Sequence, residues 1–242
     1  FTVCILNADD KILEQTQNKT NILVVSDRWE TWTNDDSSGL VFDILKFIYD
    51  DTEYNIIIKY MSYDSSVNFV IEKKADIVVG VYENEIENVI FPKWHFEIDN
   101  ISAVYKKNKN IAWRNLETIK NNKCGFMKGY KYDKYLPVKF EIIEEEDRKI
   151  LLEKLKNDEI DFYLDAAVDI YKTFKETEID TALFTDIKLL KTLKVYFCFA
   201  DNEKGKLLAN IWDSKYKSIL FSDKRNLINN IYLKWRKHFY PL

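Results

Sequence analysis

The sequence predicts an α/β protein of two lobes, each a mostly parallel sheet flanked by helices. Two observations carry the prediction: strand and helix signals alternate through residues 21–82, and the same alternation returns over 122–176. A third shapes it, since no Pro/Gly/Ser-rich linker separates the two stretches, so structured segments must connect them. Taken in order, "NILVVSD" (21–27) is an apolar run closed by Asp27 and reads as a buried strand. "SSGLVFDILKFIYDD" places Leu40, Ile44, Phe47 and Ile48 at helical spacing, with Ser37 or Ser38 as cap. "YNIIIKYMSY" (54–63) is rich in β-branched and aromatic residues and reads as a strand. A helix follows with Asp64 as N-cap and Val67, Val70 and Ile71 on one face, then the apolar strand "ADIVVGVY" (75–82).

Downstream, strands are expected at 122–129, at "VKFEII" (138–143) and at "IDFYLDA" (160–166). Helices are expected around Ile150, Leu151 and Leu155 and over "AVDIYKTFKE". "NISAVYKKN" (100–108) going out and "LKVYFCFADN" (193–202) coming back are the candidate connections between lobes. The tail carries two amphipathic patterns, Leu207 to Leu220 and Leu227 to Trp235. The expected lobes are 21–104 plus 196–242, and 105–195, with 1–20 as an N-terminal extension. Two crossings make a hinge, and a cleft at strand C-termini is where open α/β sheets bind ligands.

Length agrees: at roughly 150 residues per domain, 242 residues make one large domain or two small ones. Composition excludes several classes. Aromatics at 15% rule out a disordered tail. No run of about 18 apolar residues spans a bilayer. The net charge of −4 comes from interleaved signs, which leaves no footprint for nucleic acid. Two histidines and three cysteines without C-x₂-C spacing argue against a zinc site, and no cofactor is implied. G-x-G-x-x-G, P-loop, G-x-S-x-G and H-E-x-x-H motifs are absent. Cys124 and Cys198, in strand-like runs, read as buried small hydrophobes. Asn18-Lys19-Thr20 matches a glycosylation sequon and is treated as chance.

The order of these signals resembles the extracellular solute-binding proteins of the polar amino-acid type, family 3, with the periplasmic-binding-protein type II fold. Through roughly 21–242 the carrying pieces are "VVSDRWETWT", "GLVFDIL", "EKKADIVVG", "VIFPKWHFEIDNISAVYKKN", "CGFMKGYKYDKYL", "LKNDEIDFYLDAAVDIYKTF" and "VYFCFADN". The resemblance implies a two-strand hinge and an exported, periplasmic or extracytoplasmic monomer. It further implies capture of a small solute between two lobes and delivery to the permease of an ABC-type transporter, or reporting to a sensor kinase.

Residue by residue, the resemblance implies a ligand-binding set of Trp29, Trp32, Gly80, Tyr82, Glu83, Glu85, Tyr130, Lys131 and Asp165. The Arg that holds a ligand α-carboxylate in such proteins, by its planar fork, falls at Glu85, and "YENEIEN" contains no basic residue. Arg114, Lys128 and Lys131 are candidate replacements. Asp165 matches the acid that receives a ligand ammonium, or caps the helix that follows. Trp29 and Trp32 wall the ligand by stacking or cation–π attraction, or pack within the lobe. Lys131 adds charge to an anion site or is solvated. Glu83, Glu85 and Glu87 form a solvated face or a rim that favours a cation. Asp43 and His95 read as structural. Three functions compete: solute capture for transport, ligand sensing, and an elimination enzyme needing an acid/base pair such as Glu85 and Asp165. Binding without chemistry is expected. The absence of a membrane helix before "KHFYPL" favours a free binding protein over a receptor domain.

Overall fold

The computed structural model describes residues 19–49, 53–222 and 225–239. The expectations for 1–18, including Cys4 and Asn18, lie outside the described residues. Thr20–Ser26 (β1), Tyr54–Tyr60 (β2) and Ile77–Tyr82 (β3) run parallel, with β1 between the other two. The helices Leu40–Tyr49 (α1) and Tyr63–Ile71 (α2) alternate with them. Ser62, not Asp64, is the N-cap residue of α2, and it makes no side-chain cap bond. After the two-residue strand Val89–Ile90 (β4), Glu97–Val104 (β5) leaves for the second lobe. There Lys123–Met127 (β6), Glu141–Glu145 (β7) and Phe162–Ala166 (β8) form a second parallel set with β6 central. Arg148–Lys156 (α3) and Ala167–Glu176 (α4) alternate with these strands. Lys188–Ala200 (β9) returns to the first lobe, and Glu203–Leu220 (α5) and Arg225–Phe239 (α6) close the fold.

The strand order is β2-β1-β3-β9-β5-β8-β6-β7, with β4 also on β9. The sequence predicts a sheet in each lobe; hydrogen bonding joins them into one ladder. The physical reason is that the two crossing strands pair with each other, antiparallel, from Glu97↔Val195 to Ala103↔Lys188. The lobes are nevertheless distinct in their packing. Around β1–β3, one face of the sheet packs on α1, α5 and α6 through Phe42, Ile44, Leu208 and Trp212, and the other on α2 through Val67 and Val70. Around β6 and β8, Leu151, Leu152, Leu155 and Ile170 of α3 and α4 cover one face. The opposite face holds Phe126, Tyr132 and Phe162, covered by Trp113, Leu116, Tyr135 and Phe140. β9 reaches both sides, with Val195 and Phe197 in the first lobe's core and Leu190 and Leu193 against the second's, whereas Ile101 and Ala103 of β5 belong to the second.

Cys124 and Cys198 are fully buried and free, and burial pushes both thiols up. Asp43 is structural, as expected: its Oδ2 accepts from Trp235 Nε1 and Lys234 Nζ, each at 2.8 Å, tying α1 to α6. His95 packs edge-on against Tyr196. Among the described residues no helix is long and apolar enough to cross a membrane.

Candidate functional site

The loop after β1 is fixed by its own polar groups. Trp29 N–H donates to Thr33 Oγ1 at 2.9 Å, and that hydroxyl donates to the Asp27 carbonyl at 2.7 Å. Thr33 is fully buried, so this closed circuit holds the loop rigidly. Trp32 packs half-buried against the first lobe's core. The Trp29 indole lies over Gly80, where a Cβ would overlap the ring. Gly80 has φ +84° and sits where the β3–β9 register shifts between Val79 and Val81. Only a residue without a side chain permits both the left-handed backbone and the ring contact.

Two residues on, Tyr82 donates its hydroxyl to Asp99 Oδ2 on β5 and meets Tyr135 edge-to-face, with ring centroids 5.1 Å apart. Tyr82 N–H donates to Glu85 Oε2 at 2.9 Å. Glu83 points elsewhere: its Oε1 pairs with Lys194 Nζ at 3.2 Å and accepts from Tyr196 Oη at 3.3 Å. Burial, followed by the Asp99 charge, pushes the Tyr82 hydroxyl well up; burial likewise raises the Asp99 carboxyl.

In the second lobe the centre is Arg148, the first residue of α3. Asp147 caps that helix by accepting from Lys149 N–H at 2.8 Å. Arg148 Nε donates to Asp165 Oδ2 at 2.9 Å; its Nη2 donates to Tyr130 Oη at 2.7 Å and to Asp169 Oδ2 at 3.1 Å. The guanidinium carbon lies 5.7 Å from the Tyr130 ring centre. Asp165 is fully buried and also accepts from Tyr163 Oη and from Ala166 N–H, both at 2.8 Å. Burial pushes its carboxyl up and the Arg148 charge pulls it back. Asp169 is pushed up to about 6 by burial and then by Asp165. Tyr132, also fully buried, has a hydroxyl with no hydrogen-bond partner, within electrostatic reach of Asp165, Tyr82, Asp99 and Tyr130.

These groups meet where the lobes join. Asp99 feels both Asp169 and Arg148, and Tyr82 feels Tyr130. Contacts from one lobe to the other surround them: Lys172 of α4 pairs with Glu30, Lys131 Nζ lies 3.7 Å from Asp64 Oδ1, and Tyr82 touches Tyr135. Of the sequence-predicted residues, Tyr82, Tyr130 and Asp165 therefore lie in one cluster. Trp29 and Gly80 pack on each other beside it, and Glu85 is tied to it through Tyr82 N–H. Glu83 faces β9, Trp32 faces the core, and Lys131 pairs with Asp64 near solvent.

Asp165 is enclosed by protein donors, so its first partner is Arg148 and not a free ammonium. Among the replacement cations, Lys128 pairs with Glu146 at the surface and Arg114 is exposed. The cation at the centre is the half-buried Arg148, which sequence reasoning missed inside the charge run "EEEDRK". Asp147 as a cap one position earlier is the signal that fixes where Arg148 points. Asp99, Tyr132 and Asp169 were missed as well.

No known family's sequence profile matches the chain, and no curated protein matches it. Solved structures do match. The probable amino-acid ABC transporter extracellular-binding protein ytmK from Bacillus subtilis is 17% identical, covering 92% of this chain and 100% of its own, with a TM-score of 0.68. A histidine kinase sensor domain with similarity to periplasmic binding proteins is 14% identical over 90% of this chain and 97% of its own, with a TM-score of 0.67. AncCDT-1, an ancestral amino acid-binding protein and precursor of cyclohexadienyl dehydratase, is 15% identical over 89% and 94%, with a TM-score of 0.63. The chain has the two-lobed fold of the amino-acid-type periplasmic binding proteins.

Proposed function

We propose that this chain is an extracytoplasmic solute-binding protein. Its two lobes, 21–104 plus 196–242 and 105–195, capture a small polar solute, amino-acid-like or cationic, by hinge closure. The chain then hands the solute, as a monomer, to the permease of an ABC-type transporter. The observation that carries this reading is the convergence of charged and aromatic groups from both lobes at the crossing strands: Tyr82 from one side, Tyr130, Tyr135, Arg148 and Asp169 from the other, with Asp99 between them. Among the described residues two strands, β5 and β9, span the junction, which permits rotation without unfolding either core. The ion pairs Lys172–Glu30 and Lys131–Asp64 are contacts that a closed arrangement makes and an open one breaks.

Ligand sensing is the second reading, favoured by the likeness to a kinase sensor domain. An elimination enzyme fits less well. Glu85 is held by Tyr82 N–H and Asp165 is enclosed by three protein donors, so the two do not form an acid/base pair facing one space. The test is a thermal-shift screen over amino acids, polyamines, quaternary amines and small carboxylates. A ligand at 100 times its Kd adds about 2.7 kcal/mol to the native state. At least one class is expected to raise the melting temperature, and a screen blank throughout overturns solute capture.

A further inference from the structure

We infer that the solute held at the lobe junction is an organic cation lacking a carboxylate, a primary amine or diamine, bound by Asp99 and Asp169 together with the Tyr132 hydroxyl. The inference rests on the solute-capture reading and names the class of solute. Asp169 lies within electrostatic reach of both Asp99 and Asp165, and the three carboxylates share one half-buried cation, Arg148. Lys172 also reaches Asp169, but it is paired with Glu30. The junction thus carries a surplus of negative charge, and buried charge in surplus is costly until a counter-charge arrives.

The donors point the same way. Arg148 spends Nε on Asp165 and Nη2 on Tyr130 and Asp169, so its fork is not available for bidentate capture of a ligand carboxylate. A carboxylate brought here would face three others. An ammonium would find the opposite: carboxylate oxygens, phenol faces at Tyr82, Tyr130 and Tyr135, and a buried hydroxyl with nothing bonded to it. Tyr132 Oη is that hydroxyl: its ring meets Tyr130 edge-on at 5.5 Å, and it lies within electrostatic reach of Asp165, Tyr82 and Asp99. A hydroxyl both donates and accepts, so an ammonium N–H satisfies it where the neighbouring acids leave it unpaired. Among the described residues no three His, Cys, Asp or Glu side chains converge as metal ligands.

Titration calorimetry with 1,5-diaminopentane and L-lysine tests this directly, because the two differ only in the carboxylate. The diamine is expected to bind at least tenfold more tightly than lysine. Asp99→Asn should weaken diamine binding at least tenfold while its ligand-free melting temperature stays near that of the parent. Tyr132→Phe should weaken it severalfold with no loss of ligand-free stability, an outcome that a purely structural hydroxyl would not give. Lysine binding as tightly as the diamine, or L-glutamate binding where the diamine does not, overturns the inference and leaves solute capture standing. Failure of all three compounds also overturns it; solute capture falls only if the wider thermal-shift screen is blank as well.

Discussion

Arg148→Met is expected to cost about 3–5 kcal/mol, because it strands the fully buried Asp165 carboxylate without its counter-ion. Urea unfolding measures this, and a loss under about 1 kcal/mol contradicts the pairing. Gly80→Ala places a Cβ on the Trp29 ring at a left-handed backbone position, a strain of about 1–3 kcal/mol. Adding Trp29→Ala should recover the collision part, so the two changes will be non-additive in a stability cycle. Asp169 gives a pH dependence. Its ordinary carboxyl value is about 3.9, and burial with Asp165 raises it to about 6 against the pull of Arg148 and Lys172. The folded state therefore favours the protonated acid. That stabilisation is complete below pH ~4 and is lost as pH rises through about 6. Asp99 and Asp165 shift the same way, and Tyr130 and Arg148 face the same space. Melting temperature should fall less steeply over that range in Asp169→Asn than in the parent; equal slopes contradict the assignment. Little of this cluster is legible in sequence. Asp165 stands out because it ends an apolar strand, whereas Arg148 sits 17 residues earlier in a run of charges that reads as a solvated helix start.

At the scale of elements, local pattern specifies most of the fold, and it fails where tertiary pairing decides. β7 is expected at 138–143 and lies at Glu141–Glu145. It is an edge strand, paired only with β6, and three of its five residues are glutamates, so no buried apolar face marks its register. β9 is expected from 193 but starts at Lys188. Its first half, "KLLKTLK", is largely exposed and owes its strand form to β5; its second half is buried throughout and readable from sequence. The last helix is amphipathic enough to be predicted, but its anchor is specific: Trp235 Nε1 on Asp43. Asp43→Ala should cost about 1–3 kcal/mol by leaving the indole N–H without its acceptor. It should also raise hydrogen exchange in α6 more than in α3. Uniform exchange in both helices would show that α6 is held by packing alone.

For the whole molecule, the chain order of alternating strands and helices reveals two lobes, but the joining of their sheets through β5 and β9 is a matter of pairing between residues about ninety positions apart. That construction is what makes closure plausible on physical grounds: two cores, four apolar clusters divided between them, and a narrow two-strand bridge. The polar contacts across the junction are solvent-exposed ion pairs of small individual worth, so a solute with comparable interactions on both sides can decide the equilibrium. Small-angle scattering of the protein with and without a saturating solute from the thermal-shift screen tests this most directly. The account predicts a smaller radius of gyration in the bound state; an identical profile at a concentration where calorimetry shows full occupancy would contradict it.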